Sequence, residues 1–233
     1  MRLSVVAACA AAMGIVSSAV AQDATDVRPT VAVMNFDNGA IGPSARDYDG
    51  LTRGIGGLLI VEMSKNPKIR VVERDQVQHV LDEHKLVATG QVTKETAVQV
   101  GKLLGARHMI FGGFVIDTKG NTRLVARSVN VETSQIEYVE SVDGSQANLM
   151  TMINQLAGKL NSGLKFPDLP KPMRDASIES AKKVPFQAAM LYSRALAAAD
   201  GGDRMGALDL LQKSLASFPD YEPAKLELRR LEK

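Results

Sequence analysis

The chain contains no tryptophan, and aromatic residues make up only 4% of its 233 positions. That argues against an aromatic platform for sugars or single-stranded nucleic acid. Neither sign of charge dominates: 28 Lys and Arg face 26 Asp and Glu, a formal net charge of +2. With no basic run either, nucleic acid is not an expected partner. Beyond the first residues no apolar run reaches the roughly 18 needed for a transmembrane helix, so membrane association is expected to be peripheral at most. There is one cysteine, Cys9, and there are three histidines. His79 and His84 are five apart on one predicted helix and do not share a face. His108 opens a predicted strand, and the histidines are expected to be solvated or capping. There is no HExxH and no GxSxG, so neither a zinc site nor hydrolase chemistry is expected, and no cofactor.

The N-terminal residues have the pattern of an export signal over residues 1–21. Arg2 supplies the positive charge, Leu3 to Val16 the apolar region, and Ala19-Val20-Ala21 a small-residue cleavage signal before Gln22. Cleavage between Ala21 and Gln22 removes the cysteine, and with it any disulfide, thiol nucleophile or Cys-based metal site. Val6-Ala7-Ala8-Cys9 has some likeness to a lipoprotein box. It leaves too short an apolar segment, so simple cleavage is the expectation. The periplasm, with association at the outer membrane, is the expected location.

What is present is a pattern of alternating strands and helices. Thr30 to Phe36 (TVAVMNF) is a continuous apolar run, as in a strand buried on both faces. Asp37 to Asp47, with Gly39, Gly42 and Pro43, is a loop. Leu51, Ile55, Leu59 and Met63 then recur at helical spacing, until Asn66-Pro67 ends the helix. Ile69 to Val72 is a short strand of β-branched character. A helix begins at Gln76, with Asp75 as its N-cap and Gln78 completing a capping-box-like pair. Thr93 is placed to cap a helix over Lys94 to Leu104, and Gly105 to close it in the left-handed region. Arg107 to Ile116, Thr122 to Val131 and Gln135 to Asp143 read as strands joined by tight turns. A helix from about Gln146 to Leu164 covers the sheet. The order β-α-β-α-α-β-β-β-α predicts an α/β fold with a mixed sheet, spanning residues 30–164.

Prolines 167, 170, 172 and 185 punctuate the next stretch of chain. Residues 165–184 read as a linker, with a short helix around Ser177 to Lys182. Residues 185–233 have a purely helical period, giving a small all-α segment. Gly202-Asp203, Ala207 and Pro219, with small residues at Ala195 and Ser214, have the spacing of a single tetratricopeptide repeat, although Leu191 stands where the repeat has an aromatic.

The charged corner Glu73-Arg74-Asp75 is the main candidate site. Catalysis would need its two carboxylates on one cleft with one pKa raised. The favoured reading is structural: Asp75 as helix cap, Glu73 and Arg74 as a subunit or partner contact. Gly54, Gly56 and Gly57 lie inside an apolar-periodic helix rather than between a strand and a helix. They read as sites of close packing, not as a phosphate cradle.

Taken in order, Thr30 to Phe36 with the loop after it, Leu51 to Met63, the Ile69–Asp75 corner, Ala97-Val-Gln-Val-Gly-Lys-Leu-Leu-Gly-Ala106, Met109-Ile-Phe-Gly-Gly113 and Val125-Ala-Arg-Ser-Val-Asn-Val-Glu-Thr133 resemble the curli secretion component family, CsgG/HfaB. The resemblance covers roughly Thr30 to Leu164. It implies an envelope protein with an α/β periplasmic core, ring-like self-assembly, and a part in exporting or assembling surface material. The family's secretion channel carries long membrane hairpins. Here Gly113 runs to Val131 through a tight turn, and Glu137 to Asn148 leaves no room for a second hairpin, so pore formation is not carried over. The expectation is a non-enzymatic protein that supports assembly or secretion by binding envelope proteins, with self-association as a further option. An outer-membrane channel component and an accessory activator of a cell-wall synthase are the alternatives.

Overall fold

A computed structural model describes residues 26–84 and 92–232. The signal-peptide reading, including Ala21 and Gln22, lies outside the described residues. So does most of the connecting loop expected at Val87 to Val92.

Five strands form one mixed sheet. They are β1 (Thr30–Asn38), β2 (Arg70–Val71), β3 (His108–Ile116), β4 (Asn121–Asn130) and β5 (Gln135–Ser145), in the order β2-β1-β3-β4-β5. β1 is parallel to both of its neighbours, while β3, β4 and β5 run antiparallel in succession. Parallel strands need crossovers and antiparallel ones need only turns. Helix α1 (Leu51–Ser64) crosses from β1 to β2, and α2 (Arg74–Glu83) with α3 (Lys94–Leu104) crosses from β2 to β3. The turn between β3 and β4 is short, with Gly120 N–H on Asp117 O and Asp117 N–H on Asn121 O.

Both sheet faces are packed. On one, α1 sets Leu51, Ile55, Leu58, Leu59 and Met63 against Val31, Val33, Phe36 and Phe114. On the other, Val77 and Leu81 of α2 and Ala97 and Val100 of α3 cover Ala32, Met34, Met109 and Phe111. β1 contributes to both clusters, which is why its sequence is continuously apolar. Each fully buried Leu, Ile or Phe contributes about 1.5–3 kcal/mol.

Helix α4 (Leu149–Gly163) comes after a 3₁₀ turn at Gln146–Asn148 and packs on β4 and β5 through Leu149, Ile153, Leu156 and Leu160. The segment read as a linker is mostly helix. α5 spans Lys171–Lys183, with Pro172 in its first turn, and buries Ser177 and Ala181. Proline needs no N–H partner in a helix's first turn, so it starts this helix instead of preventing it.

The chain ends in α6 (Phe186–Asp200), α7 (Arg204–Ser217) and α8 (Glu222–Leu231). These are not separate from the α/β core. Ala188, Tyr192, Ala195, Leu196, Leu211, Tyr221 and Ala224 belong to the same buried cluster as α1 and β1. The α1 glycines account for the fit. A Cβ on Gly56 would come 2.7 Å from the Met34 carbonyl oxygen, and one on Gly54 would run into Ser193 of α6. α1 is thus sandwiched between strand and tail at backbone distance. The fold is α/β, with a mixed five-stranded sheet and a C-terminal helical segment docked on it.

Candidate interaction surfaces

The Ile69–Asp75 corner is built differently from its sequence pattern. α2 starts at Arg74, and the N-cap is Glu73, whose side chain makes no capping hydrogen bond. Asp75 is inside the first turn instead of capping it. Its carboxylate lies 2.9 Å from Arg230 Nη1 and 3.3 Å from Arg74 Nη2. A carboxylate there still complements the helix dipole, but two guanidinium groups draw it sideways, away from the free amides. Gln78 donates to Asp82 at 2.8 Å and forms no capping box.

Arg74 is turned inward. Its Nη1 lies 2.9 Å from Asp200 Oδ1, at the end of α6, and its Nη2 lies 4.0 Å from Glu227 of α8. Arg53 Nε donates to Asp200 Oδ2 at 2.8 Å, and Arg230 Nε donates to Glu227 at 3.0 Å. Three arginines and three carboxylates therefore close a neutral network joining α1, α2, α6 and α8. The Asp200 side chain is 6% exposed, so this network works in a partly desolvated place, where pairing matters most. Beside it Tyr192 is buried. Burial, with the nearby Glu227 carboxylate, pushes its hydroxyl well above the ordinary tyrosine range. The corner is thus occupied by the protein's own tail, and of the two proposed contact residues only Glu73 stays exposed.

A second polar cluster was not legible as a site. Glu62 lies on the buried face of α1. Its Oε1 is 2.7 Å from Lys65 Nζ, and its Oε2 accepts from Asn154 Nδ2 at 2.7 Å and Ser177 Oγ at 2.9 Å. The cluster fastens α5 to α1 and α4. The one sequence signal was a carboxylate inside the apolar stripe Leu58-Leu59-Met63. His108 departs from the solvated state expected of it. It is buried, 2.6 Å from Glu137 Oε1 and edge-on to Phe166. Among the described residues no group of three His, Cys, Asp or Glu is arranged to hold a metal ion.

The antiparallel end of the sheet keeps one face open. Arg127 opposes Val139, and Val115, Arg123 and Asp143 align across β3, β4 and β5. Val115 and Val139 are 39% and 52% exposed. β5 is an edge strand, with no neighbour on its outer side among the described residues.

Comparison with known proteins gives one family match and several structural likenesses. Residues 15–123 match the family model described as the curli production assembly/transport component CsgG. That stretch of the chain is similar to the CsgG family. No curated protein matches the chain. Similar solved structures include the LpoB C-terminal domain from Salmonella enterica, at 13% identity and a TM-score of 0.36, covering 53% of this chain and 87% of that one. The LpoB C-terminal domain from Escherichia coli gives 16% identity and 0.38, covering 54% and 89%. Lipoprotein GNA1162 from Neisseria meningitidis gives 10% and 0.35, covering 50% and 79%. With TM-scores below 0.5, these likenesses carry no argument about function. The CsgG-family match ends within β4, so α4 to α8 lie beyond it. Among the described residues no helix is long and apolar enough to cross a membrane.

Proposed function

We propose that this chain is a non-enzymatic protein of the bacterial cell envelope that supports assembly or export of surface material by binding other proteins. The observation that carries the reading is the CsgG-family match over residues 15–123, whose members are named for curli assembly and transport. The export-signal pattern of residues 1–21 supports the location. The β3–β4 and β4–β5 links are tight turns at residues 117–120 and 131–134. Neither holds a segment of the roughly 9–11 residues that a membrane strand requires, which favours a supporting role over lining a pore. Of the surfaces described, the open face of β3, β4 and β5 suits a protein partner, because exposed valines there alternate with arginines.

The test is made in cells, with the full chain carrying a photo-crosslinking residue at position 139 or, as a control, at the exposed position 205. The expected result is a mature protein in the envelope fraction and one discrete adduct, with an envelope protein, from position 139 only. A mature chain retained in the cytoplasm, or equal adducts from both positions, would sink the reading.

A further inference from the structure

A groove of about 300 Å³ lies among α4, α5 and the C-terminal end of α1. Its apolar lining comes from Met63, Ala157, Leu169 and Ile178. The polar groups at its floor are already matched. Glu62 is held by Lys65, Asn154 and Ser177, so the floor offers no unneutralised charge to a ligand. An occupant of this groove therefore needs an apolar body.

Gly158 is an exposed glycine on the lining of this groove. It sits inside α4, where glycine costs about 0.5–1 kcal/mol relative to alanine. Unlike Gly54 and Gly56, it has no packing reason: a Cβ there would meet no atom within 4 Å. Its open side faces the groove.

The rim determines the polar end. Arg174 and Lys182 stand there with one carboxylate, Asp168. Lys182 is engaged by Glu179 at 2.7 Å, whereas the carboxylate nearest Arg174, that of Asp175, is 4.0 Å away. We propose that this groove binds a small amphipathic carboxylate, an alkyl chain of roughly eight to ten carbons, a size suited to the low end of ligand-pocket volumes. The chain lies over Gly158 against Met63, Ala157 and Ile178, and its carboxylate pairs with Arg174. This site is independent of the open sheet face and of the partner-binding reading.

Isothermal titration of the full chain with octanoate, decanoate and 1-octanol tests it. Decanoate is expected to bind at one site, with each added methylene tightening binding roughly three- to fourfold. Gly158→Leu should weaken decanoate at least tenfold without lowering the melting temperature. Arg174→Gln should weaken the carboxylates about tenfold and leave octanol unchanged. In the wild-type protein the methyl resonances of Met63 and Ile178 should shift on adding decanoate, a readout that no folding defect can mimic. Unmoved methyl resonances at 1 mM decanoate, undiminished binding to a folded Gly158→Leu variant, or equal effects of Arg174→Gln on octanoate and octanol would each overturn the proposal.

Discussion

Arg74, in the first turn of α2, and Asp200, the last residue of α6, are 126 positions apart in the chain and 2.9 Å apart in space. This pair couples the strand-to-helix corner of the α/β core to the helical tail. Because Arg74 and Asp200 are 13% and 6% exposed, removing Arg74 weakens the pairing of Asp200 in a desolvated place, although Arg53 still holds one of its oxygens. Arg74→Ala should cost about 1.5–3 kcal/mol in urea unfolding. The Arg74→Ala/Asp200→Ala double variant should lose less than the sum, with a coupling of about 0.5–3 kcal/mol. Strict additivity would show that the pair does not act as a unit.

Asp75 makes a milder case. As an N-cap, its replacement by alanine would cost about 0.5–2 kcal/mol. As a half-exposed partner of Arg230 and Arg74, it should cost under about 1 kcal/mol, and the loss should shrink as salt is raised. A salt-independent loss would restore the capping role.

Gly54 marks where the tail meets the core. A side chain there collides with Ser193 of α6, so Gly54→Val should destabilise by about 1–3 kcal/mol through overpacking. Hydrogen exchange should show the lost protection concentrated in α6. Uniform loss across β1 to β5 would contradict the local account.

Asp37 gives a dependence on pH. Burial raises its carboxyl above the ordinary range, partly offset by the Val92 N–H that donates to it. A raised carboxyl pKa means that ionisation opposes folding: its contribution is fully present below the unfolded value and is lost as pH rises through the folded one. Asp37→Asn should therefore raise the melting temperature at pH 7, and the gap to wild type should close as pH falls below about 4. A gap that persists at acid pH would refute this origin.

Much of the fold was legible because local rules operate. Thr93 caps α3 by accepting from Thr96 N–H at 3.2 Å, and Gly105 ends it at φ 61°. The continuous apolar run of β1 announced a strand covered on both faces, and both clusters use it. What misled was equally local. Asp75 has the residue type and position of a cap, yet its geometry is set by Arg230, distant in sequence. The prolines around residue 170 suggested a linker, although proline in a first turn is compatible with the helix found there. The Glu62 cluster stayed hidden because three of its members come from three different helices.

Local sequence was enough to place the strands and helices, the mixed sheet they imply, and the CsgG-like order of motifs. These rest on side-chain periodicity, capping and turn chemistry within a few residues. What the charged corner is for was settled by tertiary packing alone. Whether Arg74 faces a partner or its own chain depends on where α6 and α8 come to rest. That is fixed by glycines in α1 and apolar residues in the tail packing across more than a hundred positions, a relationship that no local pattern encodes.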